Sequence, residues 1–362
     1  KAKWFSMFSV VTILVLAIVP VAGASDGVIE LDPLVPAPSA ETGEMVDETP
    51  HSWFVEFASK PISEGGSKTL TDADKAKFRT AAAAKGIEFT ERFAFNNLWN
   101  GVSINVSPAD VNKLKTLPGV VAVYPVVKIS IPETVSSSNP ELFTAIQMTG
   151  ADIAQNEMGY TGAGVKVAVM DTGIDIDHPD LGGCFGEGCR VFTGWDFVGD
   201  AFNADPASPS YNPVPSPDPY PDDCNGHGSH VSGIVGANGT VVGVAPDVSF
   251  GAYRVFGCEG STTAEIMMMA MEQALKDKMD ILNMSIGSAF IWPQYPTAKA
   301  ADLLVDKGMV VVASIGNNGP SGLYAAGAPG LGENVIGVAS FDNSHMFLNY
   351  FEVNSQKIGY LP

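Results

Sequence analysis

Asp171, His227 and Asn317 bring together a carboxylate, an imidazole and a carboxamide. These groups can hold a base in one tautomer, move a proton and donate to a developing oxyanion. His227 stands in Asn225-Gly226-His227-Gly228-Ser229-His230-Val231-Ser232-Gly233, where a glycine turn precedes small and apolar residues at helical spacing. That pattern suits a base at a helix N-terminus, with His230 one turn on as structural support. Asp171 opens Asp171-Thr172-Gly173-Ile174-Asp175 directly after the apolar run 165–170, which reads as a buried strand. Asn317 follows a second such run, 309–313, in Gly316-Asn317-Asn318-Gly319. Open α/β sheets place their chemistry at the C-terminal ends of parallel strands, so two strand ends and one helix start make a constellation. A base held at a helix start beside a carboxylate and a carboxamide donor suits proton transfer at a polarised carbonyl. A carboxylate pair is the rival use of Asp171-Thr172-Gly173, but it needs a second Asp-Thr/Ser-Gly turn and the sequence has none.

The stretches around Asp171, His227 and Asn317 resemble the subtilisin-like serine proteases, in family order, over residues 164–339. The resemblance implies that Asp171 is the triad aspartate, His227 the general base and Asn317 the oxyanion donor. It further implies a protein or peptide substrate bound as an added strand between two edges. One edge is Tyr253, Val255 and Gly257 leading into Cys258-Glu259-Gly260, and the other is Ser285, Ile286 and Gly287. The pocket for the residue before the cut falls between the second edge and Ala313, Ser314 and Gly316, whose small size implies apolar preference. Glu259 is expected to favour a basic residue further from the cut. The chemistry requires no cofactor. A structural calcium at Asp180, in His178-Pro179-Asp180-Leu181, follows from the resemblance, with Asp175 and Asp177 nearby, although residues 233–243 are shorter than the family's main calcium loop. The family's nucleophile stands in a Gly-Thr-Ser-Met-Ala type turn, and none occurs before Pro362. The expectation is therefore an N-terminal fragment of a zymogen, inactive alone, whose serine lies further on. The alternative is a non-catalytic remnant acting as a protease inhibitor or binding module.

The elements that must position these groups begin upstream. Residues 1–24 carry lysines, an apolar run and Ala22-Gly23-Ala24, the pattern of a secretory signal peptide, and no stable membrane anchor is expected. Residues 25–50 are rich in Pro, Glu and Asp without periodicity and read as a flexible linker. Residues 51–131 follow the order β-α-β-β-α-β, with Thr71 and Asp74 capping the first helix, which suggests a small α+β ferredoxin-like sandwich. It resembles the propeptide domain ahead of subtilisin-like enzymes, an intramolecular inhibitor whose tail, residues 124–131, lies in the cleft until cleavage between Ile131 and Asn139. Residues 132–160 read as the cleavage linker and a first helix, and 161–340 as a partial catalytic domain. This gives a three-layer α/β, mostly parallel, subtilisin-like fold. Residues 341–362 resemble the start of a protease-associated insert.

Acidic residues outnumber Lys and Arg by 40 to 20, for a net charge of −20, which argues against nucleic acid as a partner and suits a secreted protein. The glycines of 159–164 precede a strand rather than follow one, which excludes a dinucleotide-binding turn. Cys184, Cys189, Cys224 and Cys258 favour disulfides in such a chain. Three pairings are possible; Cys184 with Cys189, close in sequence, is the one expected, leaving Cys224 and Cys258 as a second bridge or as unpaired thiols. The insertion 197–223, rich in Pro, Asp and Ser, reads as a surface loop at the rim of the site. Glu265 is expected to cap a helix opening at Thr262, with the methionines from Met267 to Met271 filling core.

Overall fold

Ser52-Trp53-Phe54-Val55-Glu56-Phe57 carries large apolar side chains at both odd and even positions, so a strand there must be covered on both faces. The computed structural model describes residues 50–132, 142–344 and 349–360, and in it this run is β1 (Ser52–Phe57). Next come α1 (Lys68–Ala84), β2 (Phe89–Phe95), β3 (Gly101–Val106), the single turn α2 (Val111–Leu114) and β4 (Val120–Pro125). The strands form an antiparallel sheet in the order β2-β3-β1-β4. Val55 and Phe57 pack with Phe78 and Ala82 of α1, while Phe54 faces the other way and joins Phe95, Leu98 and Trp99 in the main core. Ser67, not Thr71, caps α1 by accepting the Leu70 N–H, and Thr71 starts the buried stripe Thr71, Lys75, Phe78, Ala82 one turn in.

β5 (Lys128–Ser130) leaves this unit. The single helix expected before residue 158 is two, α3 (Leu142–Thr149) and α4 (Ala151–Asn156), because Gly150 takes φ 74° between them. The signal peptide, the linker up to residue 49 and the cleavage stretch 133–141 lie outside the described residues, as do 345–348 and 361–362.

The larger unit continues with β6 (Lys166–Asp171), β7 (Val191–Asp196), α5 (His227–Gly236), β8 (Ser249–Arg254), β9 (Ser261–Thr263), α6 (Ala264–Lys276) and β10 (Ile281–Met284). After these come β11 (Ser288–Ala289), α7 (Pro296–Asp306), β12 (Val310–Ser314), β13 (Gly327–Ala328) and β14 (Ile336–Val338). Six strands form one parallel sheet in the order β14-β12-β10-β6-β8-β7. Strand alternation assigns its faces. Ala168 and Met170 of β6 face the core shared with α6 and α7, while Val167 and Val169 face Val231 of α5, which completes three layers. Met267, Met268 and Met271 are buried in α6 as core filling. β15 (Asn349–Val353) and β16 (Gln356–Tyr360) form an exposed hairpin of their own. No helix among the described residues is long and apolar enough to cross a membrane.

The small sheet docks on α6 and α7 through polar contacts as well as its aromatic face. Glu265 does not cap the helix that Ala264 opens; it is buried and pairs with Arg92, whose Nε lies 2.6 Å from its Oε1. Glu272 accepts the Asn97 and Leu98 N–H groups, and Lys299 reaches Glu56 at 2.7 Å. The Tyr295 hydroxyl donates to the Pro125 carbonyl and accepts the Val127 N–H, which guides the chain into β5.

Candidate active site

Parallel pairing places the C-terminal ends of β6, β8, β10 and β12 along one edge of the sheet. Asp171 ends β6 with no exposed surface, and its carbonyl accepts the Val255 N–H at 2.9 Å. His227 opens α5 and is 8% exposed. Asp171 Oδ1 accepts the Thr172 N–H at 2.8 Å and lies 2.6 Å from His227 Nδ1. With Nδ1–H donated to the carboxylate, Nε2 is the ring atom free to take a proton.

A second carboxylate, which the sequence reading did not single out, ties the turn after β6 to the start of α5. Asp223 Oδ1 accepts from Thr172 Oγ1 and from the Asn225 and Gly226 N–H groups, and Oδ2 accepts from the Ser229 N–H and hydroxyl. Thr172 Oγ1 in turn accepts the Gly228 N–H at 2.8 Å. The residue after Asp171 is thereby fixed to the start of the helix that carries His227. The available signal was an aspartate four residues ahead of a helix-opening histidine, where orphan N–H groups need an acceptor.

Electrostatics follow from burial and these bonds. Burial pushes the Asp171 carboxyl above its ordinary range, against the hydrogen bond and charge of His227. Burial works against a charged His227, yet the hydrogen bond and charge of Asp171, with the charge of Asp223, outweigh it and hold the imidazole above its ordinary value. Burial also opposes the charge on Asp223, but the Gly226 and Ser229 donors prevail and hold it below the usual carboxylate range.

The other expected residues divide in two. Ser285, Ile286 and Gly287 follow the end of β10, Ala313 and Ser314 end β12, and Asn317 is exposed in the loop beyond, all on the edge that carries Asp171. Tyr253 and Val255 depart from expectation. Both are fully buried, and the Tyr253 hydroxyl donates to Asp277 at 2.8 Å, so they pack in the core and cannot offer side chains to a peptide. β8 has cover on both faces, which leaves no open side for Tyr253 or for Val255 just past its end. Gly257 is also buried, packed against the backbone of Asp200 and Phe202. The edge that pairs with another strand is β9, which takes β5 antiparallel with Ile129 opposite Thr262. Glu259 is exposed, and the basic residue of that strand, Lys128, pairs instead with Asp205 at 2.8 Å. His230 is exposed on α5 beside His178 and Asp180, lining a cavity of about 490 Å³, rather than buttressing the helix.

The residues near Asp180 do not fit a calcium cage. Asp180 Oδ2 accepts the Val241 N–H, and its carboxylate packs against Gly239, so part of it is already engaged by the short loop. Asp175, Asp177 and Asp180 do not converge. Among the described residues the one group of three close enough to share an ion is Asp200, Cys224 and Cys258, whose cysteines are bonded to each other.

Both cysteine pairs are bridged, Cys184 with Cys189 and Cys224 with Cys258. The second bridge joins the loop before His227 to the loop before β9. Arg254, buried beneath it, places Nη2 3.0 Å from Cys224 Sγ and Nη1 2.8 Å from Asp200 Oδ1. The bridges close separations of 34 and 5 residues. Chain entropy then predicts that replacing Cys224 and Cys258 by serine costs about 3–4 kcal/mol, against about 2 for the other pair. Calorimetry of the two double variants checks the order.

A parallel three-layer sheet with a buried Asp-His pair at strand end and helix start defines a protein of subtilisin-like fold. The chain belongs to the subtilase family, whose pattern matches residues 162–358. It is 35% identical to the minor extracellular protease Vpr of Bacillus subtilis over 77% of its own length, and spans about a third, 34%, of that relative. It is 36% identical to subtilisin DY of Bacillus licheniformis, over 58% of this chain and 68% of that one. Among solved structures, the epidermin leader peptide processing serine protease of Staphylococcus aureus superposes with a TM-score of 0.56 at 22% identity, covering 81% of this chain and 70% of the other.

Proposed function

We propose that this chain belongs to the precursor of a secreted serine endopeptidase that hydrolyses peptide bonds in proteins. His227 Nε2 takes the proton of a serine hydroxyl as that oxygen attacks the peptide carbonyl, and the Asn317 amide donates to the oxyanion that forms. Collapse expels the amine with the proton from His227, and water repeats the cycle on the acyl-enzyme. Asp171 holds the imidazole and offsets its charge. The serine is assigned to the family's Gly-Thr-Ser-Met-Ala type turn, which is not among these 362 residues. Residues 51–131 act as a ferredoxin-like propeptide and intramolecular inhibitor; their β-α-β-β-α-β order and the lie of β5 along β9 support this. The relative's description as extracellular supports secretion.

The observation that carries the reading is the 2.6 Å contact between buried Asp171 and His227. Its test is labelling of the secreted full-length product with a serine-directed fluorophosphonate. One labelled serine, lost in a His227→Ala variant, supports it. A full-length product that carries the serine turn yet stays unlabelled after removal of residues 51–131 overturns it. The second reading is a non-catalytic inhibitor or binding module, in which β5 on β9 holds the same edge closed. A transcript that stops after Pro362, with an inert product that binds another protease, establishes it.

A further inference from the structure

The strand β5 shows what β9 accepts, and its side chains alternate. Ile129 is 2% exposed within the main apolar core, whereas Lys128 and Ser130 on either side are exposed. Thr263 lies opposite Lys128 and Ser261 opposite Ser130, and the Ile131 N–H continues the ladder to the Gly260 carbonyl at 3.2 Å. Position along the ladder therefore decides which side chain meets the acidic insertion that flanks β9.

That insertion is held to β9 by one backbone bond and one buried side chain. The Ala204 N–H donates to the Ser261 carbonyl at 2.9 Å, and Asn203 Oδ1 accepts both the Ser261 and the Asp205 N–H. Asn203 is 2% exposed, and its amide nitrogen donates to Ser210 Oγ at 3.0 Å. Asp205 is thus fixed by a buried residue, on a segment locked to the strand that receives the peptide. Its Oδ1 accepts from Lys128 Nζ at 2.8 Å and from the Ala207 N–H at 3.1 Å.

We infer that Asp205 is a specificity residue, selecting a lysine or arginine in any peptide strand laid on β9 at the place opposite Thr263. Resting on the endopeptidase reading, this names the substrate class as a basic residue followed by an apolar one that is buried. The Lys128 hydrogen bond, foremost, holds the Asp205 carboxyl below its usual range, so the charge persists at acid pH. Both partners keep solvent access, with 43% and 27% of their side chains exposed, so the preference is modest and sensitive to salt.

Two measurements test it. Peptides copied from residues 126–132 and differing only at the position of Lys128 are given to the full-length secreted product after removal of residues 51–131. We expect kcat/KM for Lys and Arg to exceed Ala by about threefold and Glu by about tenfold. The order reverses in Asp205→Lys and flattens in molar salt. An unchanged rank order in Asp205→Lys overturns the inference. Independently of cleavage, hydrogen exchange of the Ile131 amide is followed in the 362-residue chain with Lys128→Glu, Asp205→Lys and both. Faster exchange in each single variant and recovery in the double supports the pairing. No recovery in the double overturns it. If no peptide is cut while the double recovers, the endopeptidase reading fails and Asp205 stands as a reader of the chain's own strand.

Discussion

Asp171→Asn is expected to lower peptide turnover by the active full-length product about 10⁴-fold while leaving the fold intact. The carboxamide is the same size, so packing at this fully buried site is kept. What is lost is the charge and the acceptor that keeps the proton on Nδ1. An amide can turn its NH₂ toward the ring, which puts the proton on Nε2 and leaves no base. The same change has a signature that needs no turnover. Burial disfavours a charged His227, and only the Asp171 bond and charge, aided by Asp223, raise its pKa, so removing the main opposing charge lets burial win and the pKa falls. The sign carries through to stability. A histidine whose folded pKa lies above its unfolded value contributes stability that is full below the unfolded pKa and is lost as pH rises through the folded one. Wild type should therefore shed part of its stability as the pH rises past 6.5, and Asp171→Asn should not. The acid limb of kcat/KM in the wild type should lie above the ordinary histidine value for the same reason. Titration of the His227 ring by NMR, with urea unfolding at several pH values, decides the matter. A histidine pKa unmoved by Asp171→Asn contradicts the assignment.

Gly228→Ala should produce the next largest effect, through backbone rather than charge. A methyl group at this position would fall on the Gly173 carbonyl oxygen, well inside van der Waals contact, and the obstacle is main chain with no rotamer to yield. α5 must then move away from the turn after Asp171, and His227 moves with it. We expect a loss of about 1–3 kcal/mol from overpacking. A shift of about 1 Å in the base should cost roughly 10²-fold in turnover. Gly233 on the same helix supplies the control, since nothing lies within 4 Å of a methyl group there. Gly233→Ala should be neutral or stabilising by up to about 1 kcal/mol. Equal losses in the two variants would show that helix flexibility, not the close approach to Gly173, is what matters.

Much of this protein was legible because its signals are local. The apolar run before Asp171, the glycine turn before His227 and the strand ahead of Asn317 each announce an element and place one polar residue at its end. The order of elements in residues 51–131 could be read in the same way. Local pattern gave poor guidance where an element is covered twice. Alternation says which residues of β8 share a face, but not which face meets the cleft when both are buried. The side chains of Tyr253 and of Val255 just beyond it are buried, which the local pattern did not show. Helix starts also shifted where several polar residues compete to cap. Ser67 took the place expected of Thr71, and Glu265 went to Arg92.

By itself, then, the sequence determined the residue types of the site, the strands and helices that carry them and the family that uses them in this order. Only the tertiary structure decided the partnerships: Asp223 with Thr172, Asp205 with Lys128, Arg254 under the Cys224–Cys258 bridge, and β9 rather than β8 as the edge that takes a strand. These contacts span 51 residues for the first and 77 for the second, distances at which no periodicity reports. A hydrogen bond or ion pair acts over a few ångströms, and chain spacing limits which groups can meet without choosing among them; the choice is made when the apolar faces on each side of the sheet are buried.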